Sequence, residues 1–209
     1  MSRKQILKPM VWVACLLPLA DLGWRALEGR MGANPIERIT RDTGFWTLTL
    51  LVASLAITPL RRLSKLHWLI QYRRMIGLFA FFYGSLHMLT YVWLDQFFDV
   101  HSMLHDVVKR PFVTMGALAY LSLVPLALTS TQWSIRKLGK SWQTLHRLAY
   151  LAAIAGVIHF YWLVKLDERQ PLTFAAVLLV LFAIRVAYVL KEKRLTLPQR
   201  DRATLPSEG

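Results

Sequence analysis

The sequence predicts an all-α integral membrane protein, a six-transmembrane-helix bundle with both termini cytoplasmic. Three observations predict it. Hydrophobic residues make up 55% of the 209 and the mean hydropathy is +0.37, against about 45–50% apolar residues in a soluble domain. Those residues are gathered into runs close to the roughly 20 that a helix needs to cross a bilayer. The loops between the runs alternate between basic and acid-rich, as orientation by positive charge requires.

Six segments qualify as spans: 9–27, 45–60, 75–94, 112–129, 145–164 and 172–190. The first resembles a signal peptide, with Arg3, Lys4 and Lys8 ahead of an apolar run. It holds Asp21 and lacks a small-x-small cleavage site, so a retained helix is expected. It also contains Cys15, the only cysteine, which excludes an intrachain disulfide or a CxxC metal motif and reads as a small core residue. The second run is short for a span and is open to extension upstream. No internal repeat or low-complexity linker is apparent.

Loop charge sets the orientation. The stretch from Arg61 to Arg74 carries five cations and no acid, and Thr131 to Trp142 carries Arg136, Lys137 and Lys140, again without an acid. The tail opens with Lys191, Lys193 and Arg194. By contrast, the loop from Asp95 to Arg110 has three Asp, and Lys165 to Gln170 balances its charges. The basic loops and both termini are therefore expected in the cytoplasm. The net charge of +14 is absorbed by loops that meet anionic lipid, which argues against nucleic acid as a partner. The tail after Pro198 is polar.

Three histidines fall inside the spans: His87, His146 and His159. Ionisable residues at membrane depth are costly and usually mark function, and neutral imidazole is a common axial ligand of heme iron. His87 precedes Asp95 by the same number of residues as His159 precedes Asp167, which puts both about 12 Å in from the outer face. Equal depth on neighbouring helices is what a bis-histidine heme requires; interhelical hydrogen bonding is the plainer alternative. His146 lies near the cytoplasmic end, about 20 Å from His159 along one helix. The positions on the third span that would complete a second pair are Arg73 and Arg74, neither of which ligates iron. His146 is left as an alternate ligand, part of a partial second site, or an aid to quinol. A glycine one turn before each outer histidine, Gly84 and Gly156, either admits a flat macrocycle or packs against a helix. His67, His101 and His105 read as loop residues.

Asp21 and Arg25 are spaced for an i,i+4 ion pair, with a proton relay as the alternative. Arg185 is placed to snorkel to the interface, or to meet a heme propionate or a flavin phosphate. No G-x-G-x-x-G or Walker loop is present, so a nicotinamide-linked donor would have to be another protein.

The runs Ile57-Thr-Pro-Leu-Arg61, Arg73-Arg-Met-Ile-Gly-Leu78, Leu86-His-Met-Leu-Thr-Tyr91, Leu126-Ala-Leu-Thr-Ser-Thr131, Lys137-Leu-Gly-Lys140, Trp142-Gln-Thr-Leu-His146 and His159-Phe-Tyr-Trp162 resemble the bacterial MsrQ (YedZ) family of the ferric-reductase-like transmembrane group. The resemblance implies one ferric-reductase-like transmembrane heme-binding domain over 1–194, with a polar cytoplasmic tail over 195–209. It implies a multi-pass protein of the bacterial inner membrane, with heme b, and iron held by His87, His159 and His146. FMN is implied as well, with no residues to hold it. Electrons would pass from the quinone pool to a periplasmic molybdopterin partner, MsrP, which reduces methionine sulfoxide in oxidised proteins. The chain would then be an electron-transfer subunit, with the sulfoxide-reducing site on the partner. A metal-ion (ferric) reductase subunit and a proton-coupled transporter are the rival readings.

Overall fold

A computed structural model describes residues 3–164 and 167–196. Lys165, on the loop read above as balanced in charge, and the tail from 197 lie outside the described residues, and the side chains of Lys193 and Arg194 are not described either. The described residues are helical, without strands. The long helices are α1 (Arg3–Leu27), α2 (Pro35–Ser64) and α3 (Ile70–Leu89), the last entered through a 3-10 turn and left through a π-helical turn at Thr90–Asp95. A short α4 (Val100–Lys109) leads into α5 (Pro111–Leu128); α6 (Gln132–Leu138) and α7 (Lys140–Leu145) connect to α8 (Leu148–Leu163), and α9 (Arg169–Thr196) follows.

Local chemistry sets the ends. Asn34 caps α2 by accepting from the Glu37 amide at 3.2 Å, with Pro35 behind it. Lys65 ends α2 in the left-handed region at φ 59°. Asp99 caps α4 through the amides of His101 and Ser102. The Ser102 hydroxyl, which also donates to it, and then those amide bonds hold its carboxyl below the usual range. Thr131 caps α6 through Ser134, and Gly139, at φ 52°, makes the corner into α7.

Among the described residues, five helices are long and apolar enough to cross a membrane: Leu7–Leu27, Pro35–Ser64, His67–Asp95, Pro111–Leu128 and Arg169–Glu192. The second does extend upstream, as its short apolar run left open. The sixth expected span, over 145–164, is not among these; it holds the 16-residue α8, preceded by a turn at His146 and Arg147. At about 1.5 Å per residue it is shorter than a hydrocarbon core of about 30 Å.

The helices pack as two antiparallel hairpins. α2 lies along α3, and α5 lies along α8; α3 meets α5, α2 meets α8 and α9, and α1 lies against α3. Leu48, Leu51 and Leu55 meet Phe79, Tyr83, Leu123 and Leu126 in the core, where Ala80, Ala152 and Ala153 are fully buried. Such small residues let backbones approach closely in an apolar bundle. Cys15 is buried, as expected. Outward-facing Leu121, Leu128, Leu179 and Val180 are exposed, as suits helices surrounded by lipid tails.

Pro18 sits inside α1, where it removes an amide and disturbs the ladder around it. The Tyr83 hydroxyl fills the break. It accepts from the Leu19 amide at 3.1 Å and donates to the Cys15 carbonyl at 2.8 Å. A side chain of α3 thus completes the backbone hydrogen bonding of α1, the repair that keeps a proline tolerable where no water can reach.

Candidate functional site

His87 ends the regular part of α3 and His159 sits in α8, so each belongs to a different hairpin. Their ring centroids are 6.0 Å apart, with the ring planes at 78°. His87 Nδ1 lies 2.8 Å from the Thr40 carbonyl oxygen, and His159 Nδ1 lies 2.6 Å from that of Phe112. A carbonyl only accepts, so each ring carries its proton on Nδ1 and leaves the Nε2 lone pair free. Neither Nε2 has a hydrogen bond among the described residues.

That arrangement fits two axial ligands to one metal. A metal–imidazole bond of about 2.0–2.1 Å, plus about 1.1 Å from nitrogen to ring centre, gives about 6.3 Å between centroids across a shared ion. The backbone carbonyls are the outer partners that fix the tautomer and orientation of a ligating histidine. Among the described residues no group of three or more His, Cys, Asp or Glu gathers for a bare metal ion. The pair therefore suits a metal whose other ligands come with it, as in a porphyrin.

The two half-sites are built alike. Each accepting carbonyl lies 47 residues before its histidine. One turn after that carbonyl, on the same helix, stands a glycine whose absent side chain makes room for the ring. A Cβ on Gly44 would lie 3.0 Å from His87 Cε1 and Nδ1, and one on Gly116 would lie 2.8 Å from His159 Nδ1. This local repeat is a correction to the reading of a chain without repeats. It escapes notice because it joins isolated positions across otherwise interchangeable apolar residues. Gly44 and Gly116 were missed for the same reason, and their common offset from the histidines is the signal that finds them. Gly84 and Gly156, the glycines singled out from sequence, serve helix packing instead. A Cβ on either would meet Thr47 or Leu48, respectively, at 3.3 Å.

His146 is not brought to this pair. It lies in the turn before α8, with Nε2 3.2 Å from Thr129 Oγ1 and its ring stacked on Trp142 at 3.8 Å between centroids. Trp142 in turn donates from Nε1 to the Thr129 carbonyl at 2.9 Å. Asp21 and Arg25 do pair, and Arg25 also reaches Asp42 at 3.5 Å. Arg185 turns inward rather than snorkelling. Its guanidinium donates to the Tyr150 hydroxyl and, at 2.6 Å, to the Leu55 carbonyl. His101 and His105 belong to α4 rather than to a loop and line a polar hollow with Gln96, Ser102, Asp106 and Arg110.

Comparison with known proteins shows the family. The family described as "Ferric reductase like transmembrane component" matches residues 43–157, which takes in Gly44, His87, Gly116 and His146 and stops just short of His159. The chain is 51% identical over 191 residues to a protein of Herminiimonas arsenicoxydans named protein-methionine-sulfoxide reductase heme-binding subunit MsrQ, covering 90% of this chain and 88% of that one. Proteins of the same name from Bordetella pertussis and Azospira oryzae are 51% and 47% identical, over 87% and 96% of this chain and 89% and 86% of theirs. The chain belongs to the MsrQ family. No solved structure matches it. The MsrQ relatives and the transmembrane family agree with the five long apolar helices, and the chain is a multi-pass membrane protein.

Proposed function

We propose that this chain is a membrane b-type cytochrome that carries electrons from the quinone pool to a periplasmic molybdopterin methionine sulfoxide reductase, MsrP. The observation that carries the reading is the pairing of His87 with His159 at 6.0 Å, each with Nε2 free. The printed name of the relatives, a heme-binding subunit of a methionine sulfoxide reductase, supports it. His87 and His159 hold the iron of one heme b, which supplies reversible one-electron chemistry when bound. The Thr40 and Phe112 carbonyls hold the proton on each Nδ1 and so keep Nε2 a strong donor. Gly44 and Gly116 keep α2 and α5 close against the rings, so neither can swing away. His146, tied to Thr129 and Trp142 toward the other end, serves the quinol side. FMN is included on the family resemblance, with no residues assigned to it.

In this reading α8 is a sixth crossing, both termini are cytoplasmic, and the protein resides in the inner membrane. The basic loops support that orientation. The sulfoxide-reducing site belongs to the partner, which completes repair of oxidised periplasmic proteins.

The test uses the purified full chain from heme-replete cells. A bis-imidazole absorption spectrum is expected, with heme oxidation after quinol reduction accelerated by the partner and its sulfoxide substrate. A colourless preparation sinks the heme assignment. Oxidation unaffected by the partner sinks the role while leaving the heme.

A further inference from the structure

α4 is a strap between the two hairpins, at the end of the bundle that holds His87 and His159. The third long apolar helix stops at Asp95, shortly before α4 begins, and Arg110 alone separates α4 from Pro111, where the fourth starts. Asp106 ties down its inner side. That carboxylate is buried; it accepts from Tyr91 at 3.3 Å and from Gln96 at 3.4 Å, and pairs with Arg110 at 3.2 Å. The Thr114 hydroxyl of α5 donates to the Val107 carbonyl. α4 is therefore held at the level where the apolar helices stop.

Residues four apart share a helix face, so the outward side chains of α4 fall into two adjoining stripes. Val100, Leu104 and Val108 form one and are 62%, 63% and 83% exposed. His101, His105 and Lys109 form the other and are also exposed. The chain ahead of α4 adds to the apolar surface, since Trp93, Phe97 and Phe98 are exposed too. Phe97 and Phe98 have φ of 48° and 62°, a region that bulky residues avoid. An apolar medium around their rings offsets that strain, and water does not. A bilayer boundary satisfies both stripes at once, with acyl chains against the apolar one and headgroups and water against the polar one. The surface is also continuous with the two flanking membrane helices, whose outer faces meet lipid. Charge contributes little, because three Asp face one Lys and one Arg between Asp95 and Arg110. We propose that α4 lies in the membrane–water boundary, with Val100, Leu104 and Val108, together with Phe97 and Phe98, seated in the acyl chains of the adjoining leaflet. That seat anchors the strap that joins Tyr91, one turn after His87, to Phe112, whose carbonyl steers His159.

The test uses the full chain in phosphatidylcholine nanodiscs, with one nitroxide-labelled cysteine at a time: Leu104→Cys, Val108→Cys, His101→Cys or His105→Cys. All four side chains are exposed, so the label displaces no packing. Cys15 is buried, and wild type treated with the label is the blank. Oxygen concentrates among acyl chains, whereas a nickel chelate stays in water. Labels at Leu104 and Val108 are expected to collide more with oxygen, and those at His101 and His105 more with the chelate. The same pattern is expected in phosphatidylglycerol discs, since the apolar stripe and not charge holds the helix. Chelate access at all four positions, or the pattern in phosphatidylglycerol alone, overturns the lipid seat. Labels at Leu104 and Val108 shielded from both reagents also overturn it, and place a second copy or another protein on the stripe.

Discussion

The imidazole of His87 faces that of His159 across 6.0 Å, and each ring is steered by a backbone carbonyl from the helix beside it. Among the described residues neither ring makes another hydrogen bond, which leaves each Nε2 lone pair free to bind. Replacing either histidine by Ala is expected to remove at least about nine-tenths of the bound heme, the scale on which even outer partners of a ligand act. His146→Ala is expected to retain it. Pyridine hemochrome content per protein measures both. Heme lost from His146→Ala but kept in His159→Ala would overturn the assignment.

Gly44 and Gly116 set the rings by their lack of a side chain. Ala at either position pushes a Cβ against imidazole, at 3.0 Å for Gly44 and 2.8 Å for Gly116. Each substitution is expected to cost about 1–3 kcal/mol and to weaken heme retention, Gly116 more than Gly44. Gly77, with nothing within 4 Å of an added Cβ, is the control that tolerates Ala. Heme dissociation rates of the three variants rank them, and equal rates would refute the role given to the two glycines.

Tyr83 and Pro18 act together. Tyr83→Phe strands the Leu19 amide and the Cys15 carbonyl in an apolar bundle, at an expected cost of about 1–3 kcal/mol. Pro18→Ala restores the local ladder, so the loss on Tyr83→Phe becomes smaller in its presence. Thermal unfolding in detergent of the four proteins gives the coupling directly. Additive losses would show that Tyr83 does not repair the break.

His146 is held by Thr129 and Trp142, away from the His87–His159 pair. Thr129→Val removes the hydroxyl and leaves Trp142 stacked. Quinol-driven heme reduction is expected to slow in Thr129→Val and more in His146→Ala, with both absorption spectra intact. Stopped-flow reduction measures it, and unchanged rates would remove His146 from the entry path.

Much of this was legible in the chain. The apolar runs locate the membrane helices because length and composition alone decide what a bilayer accepts. Equal distance from the acid-rich loops brought His87 and His159 to one level, since helix rise is constant. The i,i+4 pairing of Asp21 with Arg25 is likewise a local consequence of helical spacing. Arg185 is the counterexample. Its distance from the end of its helix left either an outward reach or an anionic group open, and it turns to Leu55 and Tyr150, groups far away in sequence that no periodicity connects to it.

The sequence by itself determined that this is a helical membrane protein with two histidines at one depth, because hydropathy and helix rise are properties of the chain read in order. Only the tertiary structure decided which nitrogen of each ring is free, which glycines touch the rings, that Tyr83 mends α1, and that α8 is short. Those outcomes depend on the register between hairpins. That register is set by close packing of side chains distant in sequence, where a displacement of one helical turn would leave the same composition and a different site.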